Sequence, residues 1–436
     1  MNICLVVPDF LSGTSFLQQP LDMLYTASIL ERQQWSVTII DCRVHHLSFK
    51  SMLNQIKNAD VIVVTTTPID QVQNYFVDYR YAHAINTIKR IRTHFPDKTT
   101  IVYGAHLTAN KDYVYADIKA DYYIFGEILV TLPSLILALE QKSDISEIPN
   151  IAYVSDGVIK ETETNVALQH PPIPEEIYPA YDKVEMDEYF GTNYINNIPY
   201  IQTRRAVMQG GRGCPYSCSF CHNYFGKLIK YRSPKITAEE LEICYKQYGI
   251  KEIFFLDEVF TLNKSWVSDL RKEITRRNIN LKITIQTRVD CIDKDVLEEL
   301  KLMGVTNIWL GIESMSEDIL NTIKKHILVS EINETIKLIK SYDLQPLAFF
   351  MIGNEKETKT SLQRLIDGIK NLDLPYTRSI MICTPRFNTS LGDYAMEQYP
   401  EISSWFDLHR FRGLVNNNIT PQDLMQFKEL LKTRLH

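Results

Sequence analysis

Short apolar runs alternate with stretches of helical periodicity along most of the chain. In residues 1–145 the runs are NICLVVP, WSVTIID, DVIVVTTT, TTIVYG and DYYIFG, rich in Val, Ile and Tyr. Between them, segments such as PLDMLYTASILERQ and YAHAINTIKRIRTHF carry apolar residues at helical spacing. A strand buried on both faces is apolar throughout, so this alternation predicts a parallel sheet covered by helices on both sides. Five strands suit a Rossmann-like or flavodoxin-like sheet, whose ligands lie beyond the carboxyl ends of the strands.

The pattern changes in residues 146–200. NIAYVSDGVIKET predicts a small hairpin turning at Asp156-Gly157, and HPPIPEEIYPAY is dense in proline and therefore extended. This stretch is expected to link two domains. Alternation resumes in residues 201–385, with strand candidates AVMQG, EIFFLD, KITIQT, NIWLGI, LAFFMIG and SIMICT and helical patterns such as AEELEICYKQYG and DVLEELKLMG between them. Six strand–helix units predict a partial (β/α)6 barrel of the TIM type, with chemistry at the C-terminal strand ends. Residues 386–436 form a shorter C-terminal segment closing on the helical pattern PQDLMQFKELLKTRL. The expected class is α/β, without internal repeats or low-complexity segments.

Composition narrows the function classes. The 436 residues are 45% hydrophobic and 23% charged, with a net charge of −6, the profile of a globular protein of two or three domains. No block of Lys and Arg favours a nucleic acid or an anionic membrane. The start MNICLVVPDF lacks the basic and long apolar regions of a signal peptide, and no run approaches the roughly 20 apolar residues of a membrane span. A cytoplasmic location is expected. There the eight cysteines need a use other than structural disulfides. Cys4, Cys42, Cys244, Cys291 and Cys383 lie in or beside apolar segments and suit small buried hydrophobes.

The other three fall together in QGGRGCPYSCSFCHN. Cys214, Cys218 and Cys221, spaced C-x-x-x-C-x-x-C on a loop, can turn their sulfurs into one small volume. Thiolates suit iron–sulfur clusters, and three ligands leave one iron of a 4Fe–4S cluster open. Gly210, Gly211 and Gly213 allow the backbone to turn around a bulky core. A structural zinc site would need four ligands, and His222 adjoins Cys221 too closely to join it. A redox dithiol would leave the third cysteine unexplained. Burial of all three in a core is at odds with the Pro, Ser and Gly around them.

A motif of this spacing after the first strand of an α/β barrel resembles the radical SAM superfamily. That resemblance implies an open iron that chelates the amino and carboxylate groups of S-adenosylmethionine, and a cluster electron that cleaves it to a 5′-deoxyadenosyl radical. Other segments are similar to the family's. FFLDEVF resembles the second-strand segment that receives the methionyl amino group, at Asp257 and Glu258. TIQTRVD resembles the third-strand segment, where Arg288 would approach ribose or carboxylate. WLGIES resembles the fourth, with Glu313 and Ser314. FFMIGNEKET resembles the fifth, which packs near adenine with Ile352 and Gly353; of the usual residues there, only Gly353, Glu357 and Thr358 match.

The first domain resembles the cobalamin-binding domain of one radical SAM subgroup, from the order of its strands, YGAHLTA, FGE and the proline-rich linker. The resemblance implies cobalamin contacts at Ser48, Thr66, Gly104, Ala105, His106 and Gly126. Many cobalamin proteins carry D-x-H-x-x-G, whose His ligates cobalt. Here the loop is DCRVHHLS, with Asp41 but no His two residues on. Ala105 also stands where a second glycine is common.

Several residues have plainer readings. Asp257 suits a strand-end turn, Arg288 could pair with Asp290 on the surface, and His106 could be a loop residue. Thr65, Thr66 and Thr67 could satisfy backbone groups. His45 and His46 suit solvent rather than metal. The resemblance implies a cobalamin-dependent radical SAM enzyme that C-methylates an unidentified small molecule or peptide, with an electron donor such as flavodoxin or ferredoxin. A radical SAM enzyme using cobalamin for cyclisation or rearrangement, or a non-catalytic iron–sulfur carrier or sensor, are the rivals.

Overall fold

The computed structural model describes residues 1–9, 17–44, 48–67, 77–189, 191–195, 198–202, 204–374, 379–402, 404, 407, 413 and 419–434; His45 and His46 lie outside them. The chain divides into two compact units, Met1–Met208 with Lys246–Lys251 and Gln209–Tyr245 with Glu252–His436.

The five strands expected in the first unit all form: β1 (Asn2–Val7), β2 (Ser36–Asp41), β3 (Val61–Thr65), β4 (Thr99–Tyr103) and β5 (Tyr122–Ile124). They pair in parallel in the order β2-β1-β3-β4-β5. Helices α1 (Leu21–Arg32), α2 (Phe49–Ile56), α3 (Val77–His94), α4 (Ala105–Ala109), α5 (Lys111–Asp117) and α6 (Ile128–Gln141) run between and after them. Every residue of β3 is buried, as a strand covered on both faces must be. The hairpin forms as β6 (Ile151–Ser155) and β7 (Val158–Glu161), with Asp156 at φ 54° and Gly157 at φ 77°. Two positive φ angles are the signature of a type I′ turn. β6 pairs antiparallel with β5, so the hairpin extends the first sheet to seven strands.

The six strands expected after residue 201 also form. They are β10 (Arg205–Met208), β13 (Glu252–Phe255), β14 (Lys282–Thr287), β15 (Val305–Glu313), β16 (Gln345–Ile352) and β17 (Ser379–Ile382). The hairpins β8–β9 (Gly191–Ile195, Ile198–Gln202) and β11–β12 (Gly211–Arg212, Lys230–Tyr231) account for the numbers between. From β13 on, each strand pairs in parallel with the next. Between them run helices α9 (Lys264–Arg276), α10 (Lys294–Met303), α12 (Val329–Ser341) and α13 (Lys359–Leu372), with α7 (Val166–Gln169), α8 (Pro234–Gln247) and α11 (Glu317–Thr322) supplying the numbers between and two further helices, Ser390–Gln398 and Pro421–Arg434, following.

These strands are covered differently from those of the first sheet. β14 alternates buried and part-exposed residues along its length, and β15 and β16 do so over most of theirs. Ile285, Ile308, Leu310 and Phe350 are buried completely, while Gln286, Trp309 and Phe349 keep some exposure. The rings of Phe254, Trp309 and Phe349 follow one another at 4.5 and 5.2 Å. Apolar packing closes one face of the sheet and leaves the other partly open, as in an incomplete barrel.

Candidate active site

The cysteine loop leaves the short hairpin β11–β12, which holds Gly211–Arg212 against Lys230–Tyr231. Gly213 has φ 108°, and a Cβ there would stand 2.4 Å from the Leu228 carbonyl oxygen. Only glycine permits that close approach. Cys214 then donates its amide to the Gly226 carbonyl at 3.0 Å, and Cys221 donates to Cys218 at 3.1 Å. The Asn223 side chain donates to the Cys214 carbonyl. All three thiols are free, two half-buried and Cys221 exposed.

Two carboxylates from the end of β13 hold this loop. Asp257 accepts from the Gly210 and Gly211 amides at 3.0 and 2.6 Å, and Glu258 accepts from the Gly213 amide at 3.1 Å. Three successive loop segments are thus anchored by side chains some 45 residues away in sequence. Burial pushes the Asp257 carboxyl up to about 8, against the Gly210 and Gly211 bonds and with the neighbouring Glu258 charge. Desolvation raises Glu258 to about 7, against its amide bonds and Arg212. An anion could occupy so dry a place only with such donors around it.

Arg288 follows β14. It is buried, and its Nε and Nη2 donate to Asp290 at 2.9 Å each. The pairing with Asp290 is therefore real, and it joins a buried guanidinium to an exposed carboxylate. Nη2 also donates to the Lys325 carbonyl at 2.8 Å, and the guanidinium covers the Tyr216 ring at 3.6 Å. Its Nη1 lies 3.9 Å from the Cys218 sulfur. Bidentate pairing fixes the fork, and the remaining nitrogen faces the thiol. Burial holds the Cys214 thiol above its ordinary range, opposed by the Tyr216 amide and by Arg288.

Glu313 ends β15 at φ 70° and is buried. The pairing of β15 with β16 shifts register between Gly311 and Glu313, which turns the carboxylate to meet Lys325 at 3.2 Å. Both partners are almost fully buried, and a Cβ on Gly311 would strike them at 2.7 and 2.9 Å. A left-handed glutamate in a strand is costly and is held here by its ion pair. Ser314 is buried beside it and accepts from the Ser316 amide at 3.2 Å. Ile352 is buried and Gly353 has φ 81°; the Gly353 and Asn354 amides donate to Glu357 at 2.5 and 3.2 Å. Burial raises Glu357 to about 7 against those two bonds.

In the first unit Thr66, Gly104, Ala105 and His106 gather at the ends of β3 and β4, while Gly126 follows β5 and Ser48 opens α2. Gly104 has φ 127°, and a Cβ there would meet the Thr66 hydroxyl at 2.5 Å and the Thr67 carbonyl at 2.8 Å. Thr66 is buried, and its hydroxyl has no partner among the described residues; Thr67 donates to the Thr66 carbonyl. Ala105 opens α4, is fully buried, and donates its amide to Thr67 at 3.2 Å. Gly126 donates to the Thr108 hydroxyl at 2.8 Å. Ser48 caps α2 and accepts from Ser51 at 3.2 Å. His106 is buried and stacks on Tyr81 at 4.8 Å, so it belongs to the core rather than to a free loop.

Sequence reasoning missed three residues here. Lys325 is the counter-ion of Glu313 and also bonds Arg288 through its carbonyl; nothing in the local pattern marks it. Tyr216 lies inside the cysteine motif, where its ring beneath Arg288 could have been suspected. Arg43 stands two residues after Asp41, in the place where a cobalt-ligating His was sought. It is buried and bonds Asp41 at 2.5 and 2.7 Å, and Tyr189 donates to the same carboxylate at 2.9 Å.

The donor set can be tested against the implied cofactors. Among the described residues, no three His, Cys, Asp or Glu side chains stand close enough to share one metal ion. Three free thiols on a glycine-turned loop, one beside a guanidinium, fit separate irons of a cluster. The orphaned, buried Thr66 hydroxyl beside a cradle that a Cβ would fill fits a polar group entering at Gly104.

Residues 208–369 match the radical SAM superfamily. An uncharacterised methyltransferase of Pyrococcus horikoshii is 29% identical over 406 residues, covering 91% of this chain and 83% of the relative. The anaerobic magnesium-protoporphyrin IX monomethyl ester cyclase of Rubrivivax gelatinosus is 25% identical over 83% of this chain and 64% of its own. Among solved structures, the radical S-adenosylmethionine methyltransferase TsrM from Kitasatospora setae, seen with cobalamin and a 4Fe–4S cluster, superposes with a TM-score of 0.71 at 16% identity. The match covers 92% of this chain and 76% of that one. At that identity the likeness is one of fold. No helix among the described residues is long and apolar enough to cross a membrane.

Proposed function

We propose, from the match of residues 208–369 to the radical SAM superfamily, that the chain is a cobalamin-dependent radical SAM methyltransferase acting on carbon. Cys214, Cys218 and Cys221 would hold a 4Fe–4S cluster with one iron open to S-adenosylmethionine, and the strand ends at Thr66 and Gly104 would hold cobalamin. When bound, the cluster supplies the electron that cleaves S-adenosylmethionine, and cobalamin carries the methyl group.

The observation that carries this reading is the clamped loop Gly210–Cys221. Asp257 and Glu258 hold its start through three backbone amides, which supports a loop shaped before a cluster arrives. Arg288 faces the Cys218 sulfur at 3.9 Å. Glu313 and Lys325 form a buried ion pair beside Gly311, able to meet the charged methionyl end or the ribose of S-adenosylmethionine. Glu357 holds the turn at Gly353, on the strand proposed to lie near adenine. In the first unit Arg43 is spent on Asp41, so no side-chain nitrogen is offered to cobalt at that position. With the cofactor's own dimethylbenzimidazole displaced, Co(II) cobalamin loaded into the protein should then lack nitrogen superhyperfine splitting in its electron paramagnetic resonance spectrum.

The test begins with anaerobic reconstitution. About four irons and four sulfides per chain are expected, and the reduced protein should release 5′-deoxyadenosine slowly. With substrate, S-adenosylhomocysteine should form alongside a methylated product. Cys218→Ala should abolish both the chromophore and the cleavage; an intact cluster in the triple variant of Cys214, Cys218 and Cys221 would sink the reading. The similarity to a cyclase favours cyclisation as the second reading. Formation of 5′-deoxyadenosine and product without S-adenosylhomocysteine would select it.

A further inference from the structure

We infer that Gln209, at the carboxyl end of β10, donates a hydrogen bond to the substrate, which presents a carbonyl or carboxylate oxygen there; the inference rests on the proposed methyltransferase reading. Gln209 stands at the end of the apolar run AVMQG and is fully buried. The carboxyl end of a barrel strand is where this architecture places its ligands. The Gln209 Oε1 accepts from the Arg212 Nε at 2.8 Å. Its Nε2 has no partner among the described residues. Exchanging the two amide atoms does not cure this. Arg212 only donates, so the oxygen must stay on its side and the NH2 must face away. A buried donor left without an acceptor is costly, and folded proteins rarely keep one.

The next residue gives the direction. A Cβ on Gly210 would strike the Trp266 ring at 2.4 and 2.6 Å. Trp266 belongs to α9 and packs on Phe260 at 5.4 Å, which packs on Phe255 at 4.8 Å. That is the face of the sheet covered by helix. Successive side chains of extended backbone point to opposite faces. Gln209 therefore shares the face of Phe254, whose ring begins the row with Trp309 and Phe349. This is the half-open face, and Gln209 enters it five residues before Cys214.

Sheet order selects the ligand. β10 is an edge strand, followed in the sheet by β13, β14, β15 and β16. Glu313 and Gly353, proposed to meet S-adenosylmethionine, thus lie at strand ends three and four places away. On the adjacent strand, Asp257 and Glu258 already hold the cysteine loop. The substrate is the molecule left to supply an acceptor. A neutral NH2 beside a row of aromatic rings suits an apolar or ring-bearing molecule with one oxygen at that point.

Two variants test this. Gln209→Glu keeps an acceptor for Arg212 but removes the donor, and Gln209→Leu removes both. The probe is a small-molecule extract of the cells that produce the protein, added to reconstituted protein with dithionite and S-adenosylmethionine. Release of S-adenosylhomocysteine is followed against extract concentration. Each variant should raise the amount of extract needed for half-maximal release roughly tenfold, an effect on KM more than on kcat. The denaturant midpoint of Gln209→Glu should not fall below that of the parent, since the Arg212 bond survives. Half-saturation unchanged in both variants would assign the amide to a trapped water and overturn the proposal. A lowered midpoint with lost iron in Gln209→Glu would make the residue structural and overturn it too. A tenfold loss of S-adenosylmethionine affinity in calorimetry would place the donor on that molecule and overturn the substrate assignment. Absence of any cleavage of S-adenosylmethionine by the parent would instead overturn the function on which the proposal rests, and the proposal with it.

Discussion

The two sheets are both parallel, yet they offer a ligand different things. In the first, β3 is buried from end to end, and a ligand can be received only where strands stop. What waits there is backbone and one hydroxyl: Gly104 with no room for a Cβ, Thr66 whose hydroxyl has no partner among the described residues, and Ala105 packed into the core. The second sheet keeps a half-open face bearing Gln286, Trp309 and Phe349, and its strand ends carry charge: Asp257, Glu258, Arg288 and Glu313. A large, nearly rigid cofactor needs a shaped hollow, whereas thiolates and a charged small molecule need fixed donors and counter-ions. The contrast teaches that one strand–helix architecture can build either kind of site, according to whether a strand face is covered.

That contrast breaks if a change at one site disturbs the other. The largest effect is expected from Asp257→Ala, which leaves the buried Gly210 and Gly211 amides without their acceptor. Losing both bonds costs about 2–5 kcal/mol locally. Iron after reconstitution should fall from about four per chain to below about one, while cobalamin retained after desalting stays level. Parallel loss of cobalamin would show that the clamp supports the whole molecule rather than the loop.

Gly104→Ala is the reciprocal change. Its Cβ would meet Thr66 and the Thr67 backbone at a φ of 127°, a strain of about 1–3 kcal/mol. Cobalamin retention should drop roughly tenfold with iron content unaltered. Retention equal to that of the parent would remove Gly104 from the cobalamin proposal.

The smallest effect separates a clamp that titrates from one that does not. Glu357 holds Gly353 and Asn354, and burial raises its carboxyl from 4.5 to about 7. The folded state therefore binds a proton that the unfolded chain has already lost. Its contribution to stability is full below about 4.5 and disappears as pH rises through about 7. Between those values its share of stability should decline by about 1–3 kcal/mol, and Glu357→Gln, which keeps an acceptor but cannot ionise, should remove that share and leave the part owed to Asp257 and Glu258. Denaturant midpoints measured at several pH values test this; an unchanged slope in the variant would assign the pH dependence to other groups.

Much of this molecule was legible in the sequence. All eleven principal strands form where apolar runs stand between helical patterns, because burial of a strand or a helix face is a local matter of residue spacing. The I′ turn at Asp156-Gly157 and the glycine-turned cysteine loop were equally plain, since their chemistry lies within a few neighbouring residues. Tertiary structure decided the partners. Asp257 meets Gly210 across 47 residues, Arg288 meets the Lys325 carbonyl across 37, and Glu313 meets Lys325 only because β15 shifts register beside β16. Likewise β6 pairs with β5 and joins the first sheet, a choice no local signal in its own residues announces. Composition and period say which segments bury their faces. Which buried charge answers which is set by strand register and by the depth at which each side chain loses its water, and both exist only once the sheet has closed.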